Sequence, residues 1–404
     1  MVERMQDKLY YDVWFPDEAK KIRTVVREFA EKEIEPVAYA LDVREEEKEN
    51  FPWDIFKKMA SKGLFQIPFP KEIGGRGLKY PNCCTIVTME ELAYVSNSIA
   101  AIYDVQCMLA GHALTYGSRE LQEKYLRPLI KGKFVGCFAT TEPQASNDLR
   151  AIETTAERKG DKWIINGHKR FITNAPVGNF VCTLCRTGKT FSEIVVDLDA
   201  KGVKVGEPDK KIGNKAQLTA DIYFNNAEAL EENLIGEVGE GLRIALGTLT
   251  YGRIGIGATG VGMAQAAFDE AVSYMKERMA FGKKLAQFQY WQYRFAEKAT
   301  QIDMARTLCY KAAYRMDVEG VEFPEPHAAM AKYFGTQTAG DMARDAVQIF
   351  GGYGYLIQLS HDKSERKVER IYRDCKIPEI YEGANEVQKF IIAREIFGRE
   401  CIAP

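Results

Sequence analysis

No stretch of this 404-residue chain approaches the roughly eighteen uncharged apolar residues that a membrane span needs, and the N-terminal MVERMQDKLYYDVWFPDEAKK lacks the apolar core of a signal peptide. A cytoplasmic location is expected. An excess of one charge is also missing. The 55 Lys and Arg against 57 Asp and Glu leave a formal net charge of -2, with no dense basic run, so nucleic acid is not an expected partner. Cysteine is present but lacks a disulfide pattern: nine are scattered along a long chain, which fits reduced thiols. Cys182 and Cys185 have CxxC spacing inside the strand-like run Phe180-Val-Cys-Thr-Leu-Cys-Arg186. Residues three apart on a strand face opposite sides, and no second pair completes a zinc site, so no metal is expected. The glycine-rich Glu72-Ile-Gly-Gly-Arg-Gly77 has neither the GxGxxG nor the GxxxxGK[ST] spacing and reads as a turn.

What is present is the composition of an ordinary globular protein, 46% hydrophobic and 28% charged, long enough for two or three domains. From Asp17 to about Lys131 the apolar period is helical, as in Ala19, Ile22, Val25, Val26 and Phe29, with further helical patterns near 84 to 115 and 118 to 131. From Phe134 to about Leu234 short runs such as Trp163-Ile-Ile165, Glu193-Ile-Val-Val-Asp197 and Asp221-Ile-Tyr-Phe224 predict an antiparallel sheet or small barrel. Helices return after Gly239. Small residues from Gly255 to Ala267 predict a closely packed helix over Leu249 to Met279, followed by helices over about Gln287 to Asp317 and Pro324 to Phe350. With the C-terminal helix these suffice for a four-helix bundle. The fold class is therefore mainly α with a central β domain: an N-terminal α-helical domain over 1–132, a middle β domain over 133–236 and a C-terminal helical bundle over 237–404.

The chemistry-bearing stretch is Ile380-Tyr-Glu-Gly-Ala-Asn-Glu-Val-Gln388. Glu382 stands just before the apolar positions Val387, Phe390, Ile391 and Ile396 of an amphipathic helix, and Gly383 leaves room for a ligand to approach the backbone. Taken alone, such a glutamate is more often a solvated or capping residue than a base.

Four further stretches change that weighting: Ala139-Thr-Thr-Glu-Pro143 with Asp148, Asn166-Gly-His-Lys-Arg-Phe-Ile-Thr-Asn-Ala175, Glu277-Arg-Met-Ala-Phe-Gly-Lys283 and Gln348-Ile-Phe-Gly-Gly-Tyr-Gly354. Together with Tyr381-Glu-Gly383 they resemble, in order and spacing, the acyl-CoA dehydrogenase family of flavoproteins. The resemblance implies FAD between the strand domain and the bundle, with an acyl-CoA thioester against the flavin. It implies that Phe138, Thr141, Phe171 and Thr173 meet the isoalloxazine, Phe171 standing where the family commonly has Trp. From residue pattern alone Phe171 could equally be a core aromatic. Arg278, Phe281, Gln348, Gly351 and Gly352 match positions that meet the FAD pyrophosphate and adenosine across a subunit interface, and Ala384 and Glu386 match positions near the flavin. The same matches imply a homo-oligomer, in this family usually a tetramer built as a dimer of dimers. Glu382 aligns with the family's catalytic base, and Arg253 with a recurrent arginine near the reacting end. In some branches the base comes instead from the position of Gly252, which has no side chain to offer. Asn147, Tyr103, Gln106, Tyr381 and Gly383 fall where the acyl-CoA is bound.

The reaction implied is α,β-dehydrogenation. Glu382 takes the α-proton, hydride leaves the β-carbon for flavin N5, and electrons pass to an electron-transfer flavoprotein. The same site run as an enoyl-CoA reductase, or a catalytically silent flavoprotein scaffold, are the alternatives. The chain departs from the family pattern in three places. Ser146 and Asn147 replace the usual Gly-Ser, Ala384 stands where Thr or Ser is frequent, and the polar segment Leu356 to Lys367 is longer than usual. The stretch matching Ser96 to Gly117 has no arginine, which argues against a glutaryl-type substrate. Tyr103, Val105, Gln106, Cys107 and Met108 are compatible with a short, branched or ring-bearing acyl chain.

Overall fold

The computed structural model describes residues 2–10 and 15–401. The N-terminal region is helical. Helix α1 (Asp17–Phe29) buries Ala19, Ile22, Val26 and Phe29 on the face that the apolar period predicts. After α2 (Trp53–Ser61) comes α3 (Pro81–Val95). The continuous helix expected over 84 to 115 is interrupted at Ser96, which is extended (φ -154°, ψ 113°). The chain restarts as α4 (Asn97–Asp104) and widens into a π-helical turn over Val105–Gly111. Such turns re-aim side chains, and this one packs against the N-terminal half of the longest helix.

Helix α3 carries two adjacent buried carboxylates. Glu90 accepts from Arg306 Nε at 2.9 Å and from the Tyr310 hydroxyl, and Glu91 pairs with Arg4 at 2.6 Å and Arg27 at 3.0 Å. Burial alone would raise Glu90; the guanidinium groups of Arg306 and Arg23 and the Tyr310 hydroxyl overcome it and hold the carboxyl below its ordinary value.

The central region is a sheet of β1 (Gly136–Ala139), β2 (Thr155–Lys159), β3 (Lys162–Thr173), β4 (Phe180–Thr187), β5 (Thr190–Asp197), β6 (Val203–Val205), β7 (Thr219–Leu230) and β8 (Leu234–Ile235). Its order is β6-β7-β3-β2-β4-β5-β8, with β1 also on β4. The expectation of an antiparallel sheet or barrel needs correcting in two respects. The sheet is open, with β6 and β8 at its two ends, and β4 pairs in parallel with both β1 and β2. The remaining pairings are antiparallel. Strand alternation sends Cys182 into the core shared with the helices and Cys185 into a second core on the opposite face. Both are buried free thiols, and no group of potential metal ligands occurs among the described residues.

The C-terminal region is built on α5 (Gly241–Glu277), α6 (Gln289–Glu319) and α7 (Glu325–Phe350), then α8 (Lys367–Asp374) and α9 (Asn385–Phe397). The small residues of α5 permit close crossings. A β-carbon on Gly260 would lie 2.5 Å from the Gly335 backbone of α7, and one on Gly262 would lie 2.2 Å from the Glu90 carbonyl of α3. No described helix is long and apolar enough to cross a membrane. Between Tyr355 and α8 the segment 356–366 is largely exposed and closed by a bridge between Gln358 and Glu365.

Candidate active site

Glu382 lies in the short connection between α8 and α9, with left-handed backbone (φ 55°), followed by Gly383 (φ 89°). Glycine adopts that region freely; glutamate does so at a cost, so the surrounding contacts must hold it there. They are visible. Arg253 Nε donates to the Glu382 carbonyl at 3.1 Å, and Gln388 Nε2 donates to the Gly383 carbonyl at 2.8 Å. At the first turn of α9 Asn385 is buried and accepts from Lys332 Nζ at 3.0 Å, its amide meeting the Thr336 hydroxyl at 3.1 Å. These bonds fix a turn that points the Glu382 side chain back onto α5.

The carboxylate meets α5 at Gly252, where an added β-carbon would lie 2.1 Å from Oε2. Glycine there is therefore a space requirement as well as the loss of an alternative base. Oε2 is sealed from solvent and has no hydrogen-bond partner of ordinary geometry among the described residues. Burial raises the Glu382 pKa above its usual value, while the neighbouring Asp104 carboxyl group and the charges of Lys332 and Arg253 pull it part of the way back. Lys332, itself buried, is lowered to about 7 by desolvation, with the Glu382 charge opposing. Burial lowers Arg253, offset in part by Glu325 and Glu382.

In front of Glu382 opens a cavity of about 660 Å³ between the sheet and the bundle. On the bundle side Arg253, Tyr381, Glu382 and Gly383 reach it; on the sheet side Thr141, Asn147, Phe171 and Thr173 do. The local fold explains Phe171. The register of β3 against β7 shifts between Lys169 and Ile172, and at this bulge Phe171 has φ 60° and is 63% exposed. Its N-H donates to Asp221 Oδ1 at 3.3 Å, which anchors the bulge while the ring projects into the cavity wall. The core-aromatic alternative for Phe171 is thereby removed. Asn147 Oδ1 faces the Ala384 N-H at 3.5 Å, a link from the sheet to the residue after Gly383.

Other residues singled out in the sequence lie elsewhere. Tyr103 is fully buried with its hydroxyl directed at the Leu64 carbonyl (3.3 Å). The Gln106 amide is used by backbone: it donates to Leu129 (3.1 Å) and Phe134 (2.7 Å) and accepts from Gly136 N-H (3.0 Å), tying the π-helical turn to β1. Phe138 is buried in β1, Ala384 is half-buried, and Glu386 is exposed at the start of α9. Arg278, Gly351 and Gly352 line a separate surface cavity of about 590 Å³, with Gln348 exposed nearby in sequence and Phe281 96% exposed on a hairpin. The two cavities have no lining residue in common. Two side chains beside Glu382 were not picked out from the sequence, Lys332 and Asp104. The signal available for Asp104 was a lone carboxylate in the otherwise apolar Ile99-Ala-Ala-Ile-Tyr-Asp-Val105.

Family models for the acyl-CoA dehydrogenase N-terminal, middle and C-terminal domains match residues 16–133, 137–227 and 239–397. The chain belongs to the acyl-CoA dehydrogenase family. It is 40% identical to the 3-(aryl)acrylate reductase of Clostridium sporogenes over 95% of this chain and 100% of that one. It is 39% identical to the caffeyl-CoA reductase-Etf complex subunit CarC of Acetobacterium woodii over 94% and 98%. Butyryl-CoA dehydrogenase of Megasphaera elsdenii superposes with a TM-score of 0.88 at 32% identity, covering 96% of this chain and 100% of that chain. The protein is thus an oxidoreductase of a FAD-dependent family. The cavity fits a flavin ring. It offers the Phe171 ring and the side chains of Leu249, Ile377 and Val387 as apolar surface, and the hydroxyls of Thr141 and Thr173 for a polar edge.

Proposed function

We propose that this protein catalyses α,β-dehydrogenation of an acyl-CoA thioester, with Glu382 as the group that removes the α-proton and an electron-transfer flavoprotein as the electron acceptor. The observation that carries this reading is the Glu382 carboxylate itself, an oxygen sealed from solvent at the wall of a cavity of about 660 Å³ that both the sheet and the bundle line. An alkane-like C-H is far too weak an acid for a carboxylate near its reference pKa of about 4.3. The burial that raises Glu382 brings its basicity toward the working pH, and water excluded by the substrate adds to that effect. Arg253 and Gln388 hold the carbonyls of the base and of the residue after it, so its aim is set before substrate arrives. Thr141, Phe171 and Thr173 would hold the ring of FAD, which would supply the acceptor for the hydride from the β-carbon. Arg278, Phe281, Gln348, Gly351 and Gly352 are exposed and apart from the Glu382 cavity, which supports their use by a neighbouring subunit's cofactor in a homotetramer.

A second reading runs the site as an enoyl-CoA reductase, with Glu382 delivering the α-proton. It is favoured by the 3-(aryl)acrylate reductase and caffeyl-CoA reductase-Etf relatives. The latter name also supports the electron-transfer flavoprotein as partner. The testing experiment is an anaerobic titration of the yellow protein with a panel of saturated and α,β-unsaturated thioesters, short, branched and aryl-bearing, following flavin absorbance. Bleaching by saturated thioesters is expected. Bleaching by none, with dithionite-reduced protein reoxidised by aryl-enoyl thioesters, would select the reductase reading, and response to neither would end both.

A further inference from the structure

The last residue of α4, Asp104, is buried and belongs to no ion pair among the described residues. Its Oδ1, like Oε2 of Glu382, has no hydrogen-bond donor of ordinary geometry among the described residues. Yet both oxygens lie against one short stretch of α5, Glu382 Oε2 at Gly252 and Asp104 Oδ1 at Gly255. Both observations have one resolution. Two ionised carboxylates offer only acceptors, so each oxygen is orphaned; one proton between them serves both at once. The glycines of α5 show that the pair is built. A β-carbon on Gly252 would strike Glu382 Oε2 at 2.1 Å, and one on Gly255 would lie 3.2 Å from Asp104 Oδ1 and 2.6 Å from Met108 Sδ. Positions three apart on a helix share a face, so the same bare strip of α5 makes room for both carboxyl groups.

We infer that Asp104 and Glu382 form a carboxyl–carboxylate pair holding one proton, in which Asp104 keeps the proton and donates it to Glu382 as a positioning residue for the proposed α-proton transfer. The inference rests on the proposed function for the transfer but not for the pair. The charged groups around it favour this division of the proton. Arg253 from α5 and Lys332 from α7 act on Glu382, and they are the cations nearest the base. Asp104 faces Glu382, Cys107, Tyr381 and Tyr251, and no cation among the described residues acts on it. Glu379 and Glu386 act on Lys332, and Glu325 and Arg394 act on Arg253, one step further out. Burial pushes Asp104 well above the usual carboxylate range, and the Glu382 charge adds to it, as expected of two like charges in one site. During turnover the α C-H bond breaks, its electron pair stays on carbon to form the double bond as hydride leaves the β-carbon for FAD, and the proton forms an O-H bond on Glu382. Asp104 retains its own proton, so the pair passes from one proton to two.

The test uses the FAD-loaded protein and two substitutions, Asp104→Asn, which keeps a donor toward Glu382, and Asp104→Leu, which removes it. The first readout is the infrared band of a protonated carboxyl group in the resting protein at neutral pH. It is read as the difference between the wild type and D104N, in which the Glu193 carboxyl, raised to about 8 by burial, cancels; a protonated-carboxyl band present in the wild type alone is expected, and its absence from that difference overturns the inference. The second is the acidic limb of flavin bleaching by the best thioester of the panel. Loss of the donor leaves the Glu382 carboxylate desolvated, so in D104L the limb moves up by about one pH unit, whereas in D104N it stays close to the wild type. A D104L limb that coincides with the wild type, or a D104N limb displaced as far as that of D104L, contradicts it. If no thioester bleaches the flavin the proposed function fails, and the infrared readout still decides the pair.

Discussion

Helix α3 brings the carboxylates Glu90 and Glu91 to the centre of the molecule, and the next helix, α4, brings Asp104 there to meet Glu382 from the connection between α8 and α9, but the protein treats the two pairs in opposite ways. Glu90 and Glu91 are saturated with guanidinium and hydroxyl donors from α1, α6 and the N-terminal segment. Asp104 and Glu382 lie against the bare glycines of α5, and neither Asp104 Oδ1 nor Glu382 Oε2 has a cation or amide donor. Burial acts on both. At Glu90 the cations win and the carboxyl is held low, whereas at Asp104 and Glu382 desolvation wins and both are pushed up. A buried carboxylate with all its bonds made is a structural brace. One that is left short of donors keeps its free energy for a reaction.

The sharpest way to break this contrast is Glu382→Gln, which keeps the shape and removes the base. Flavin bleaching by acyl-CoA, read by stopped-flow absorbance, should fall by about 10²- to 10⁴-fold, while the yellow colour and thioester binding persist. On the other side of the comparison, Arg306→Met strips Glu90 of its principal partner. An uncompensated buried charge should lower the unfolding free energy by about 3 to 5 kcal/mol in urea titration, with no change in the pH dependence of bleaching.

Gly252→Ala separates space from chemistry. Alanine in a helix interior ordinarily stabilises by roughly 0.5 to 1 kcal/mol. Here its β-carbon would displace the Glu382 carboxylate, so melting should be unchanged or higher while bleaching falls by about 10²-fold, the scale of an ångström-sized misplacement. An active G252A would mean that the base does not rest on α5.

The smallest effect concerns Glu193 in β5, another buried carboxylate with both oxygens unpartnered, raised by burial from 4.5 to about 8 with Lys169 opposing. Between those values the unfolded chain has released the proton and the folded chain still holds it. Stability should therefore fall as pH rises from about 4.5 to 8, and Glu193→Gln should flatten that slope in melts across the window. Glu90, held low, has the opposite sign: its contribution is present above the ordinary carboxylate range and is lost as pH falls through its lowered value.

Periodicity made the helical outer regions and the strand-rich middle legible, because a helix buries a 3.6-residue stripe and a strand alternates faces. The small residues of α5 were legible too, since Gly260 and Gly262 have little purpose other than close approach. What pattern could not convey was pairing between distant segments. The parallel partners of β4 and the open edges of the sheet depend on long-range register, which short alternating runs do not encode. The same limit applies at the site. Resemblance led to Glu382, Arg253, Thr141, Asn147 and Phe171, which the fold brings to one cavity. Phe171 as a cavity wall needed the bulge, and Gln106 looked like a pocket amide until the backbone of β1 claimed it. Asp104 carried no local mark of its partner, because the residue it meets arrives from the other end of the chain.

The account depends on one carboxyl group moving the α-proton, whichever way the electrons run. Incubation of the protein with a saturated acyl-CoA and its enoyl partner in D₂O, followed by NMR of the recovered saturated thioester, reads that step directly. The wild type should place deuterium at the α-carbon and E382Q should not. Deuterium entering at the wild-type rate in E382Q would contradict the assignment of Glu382.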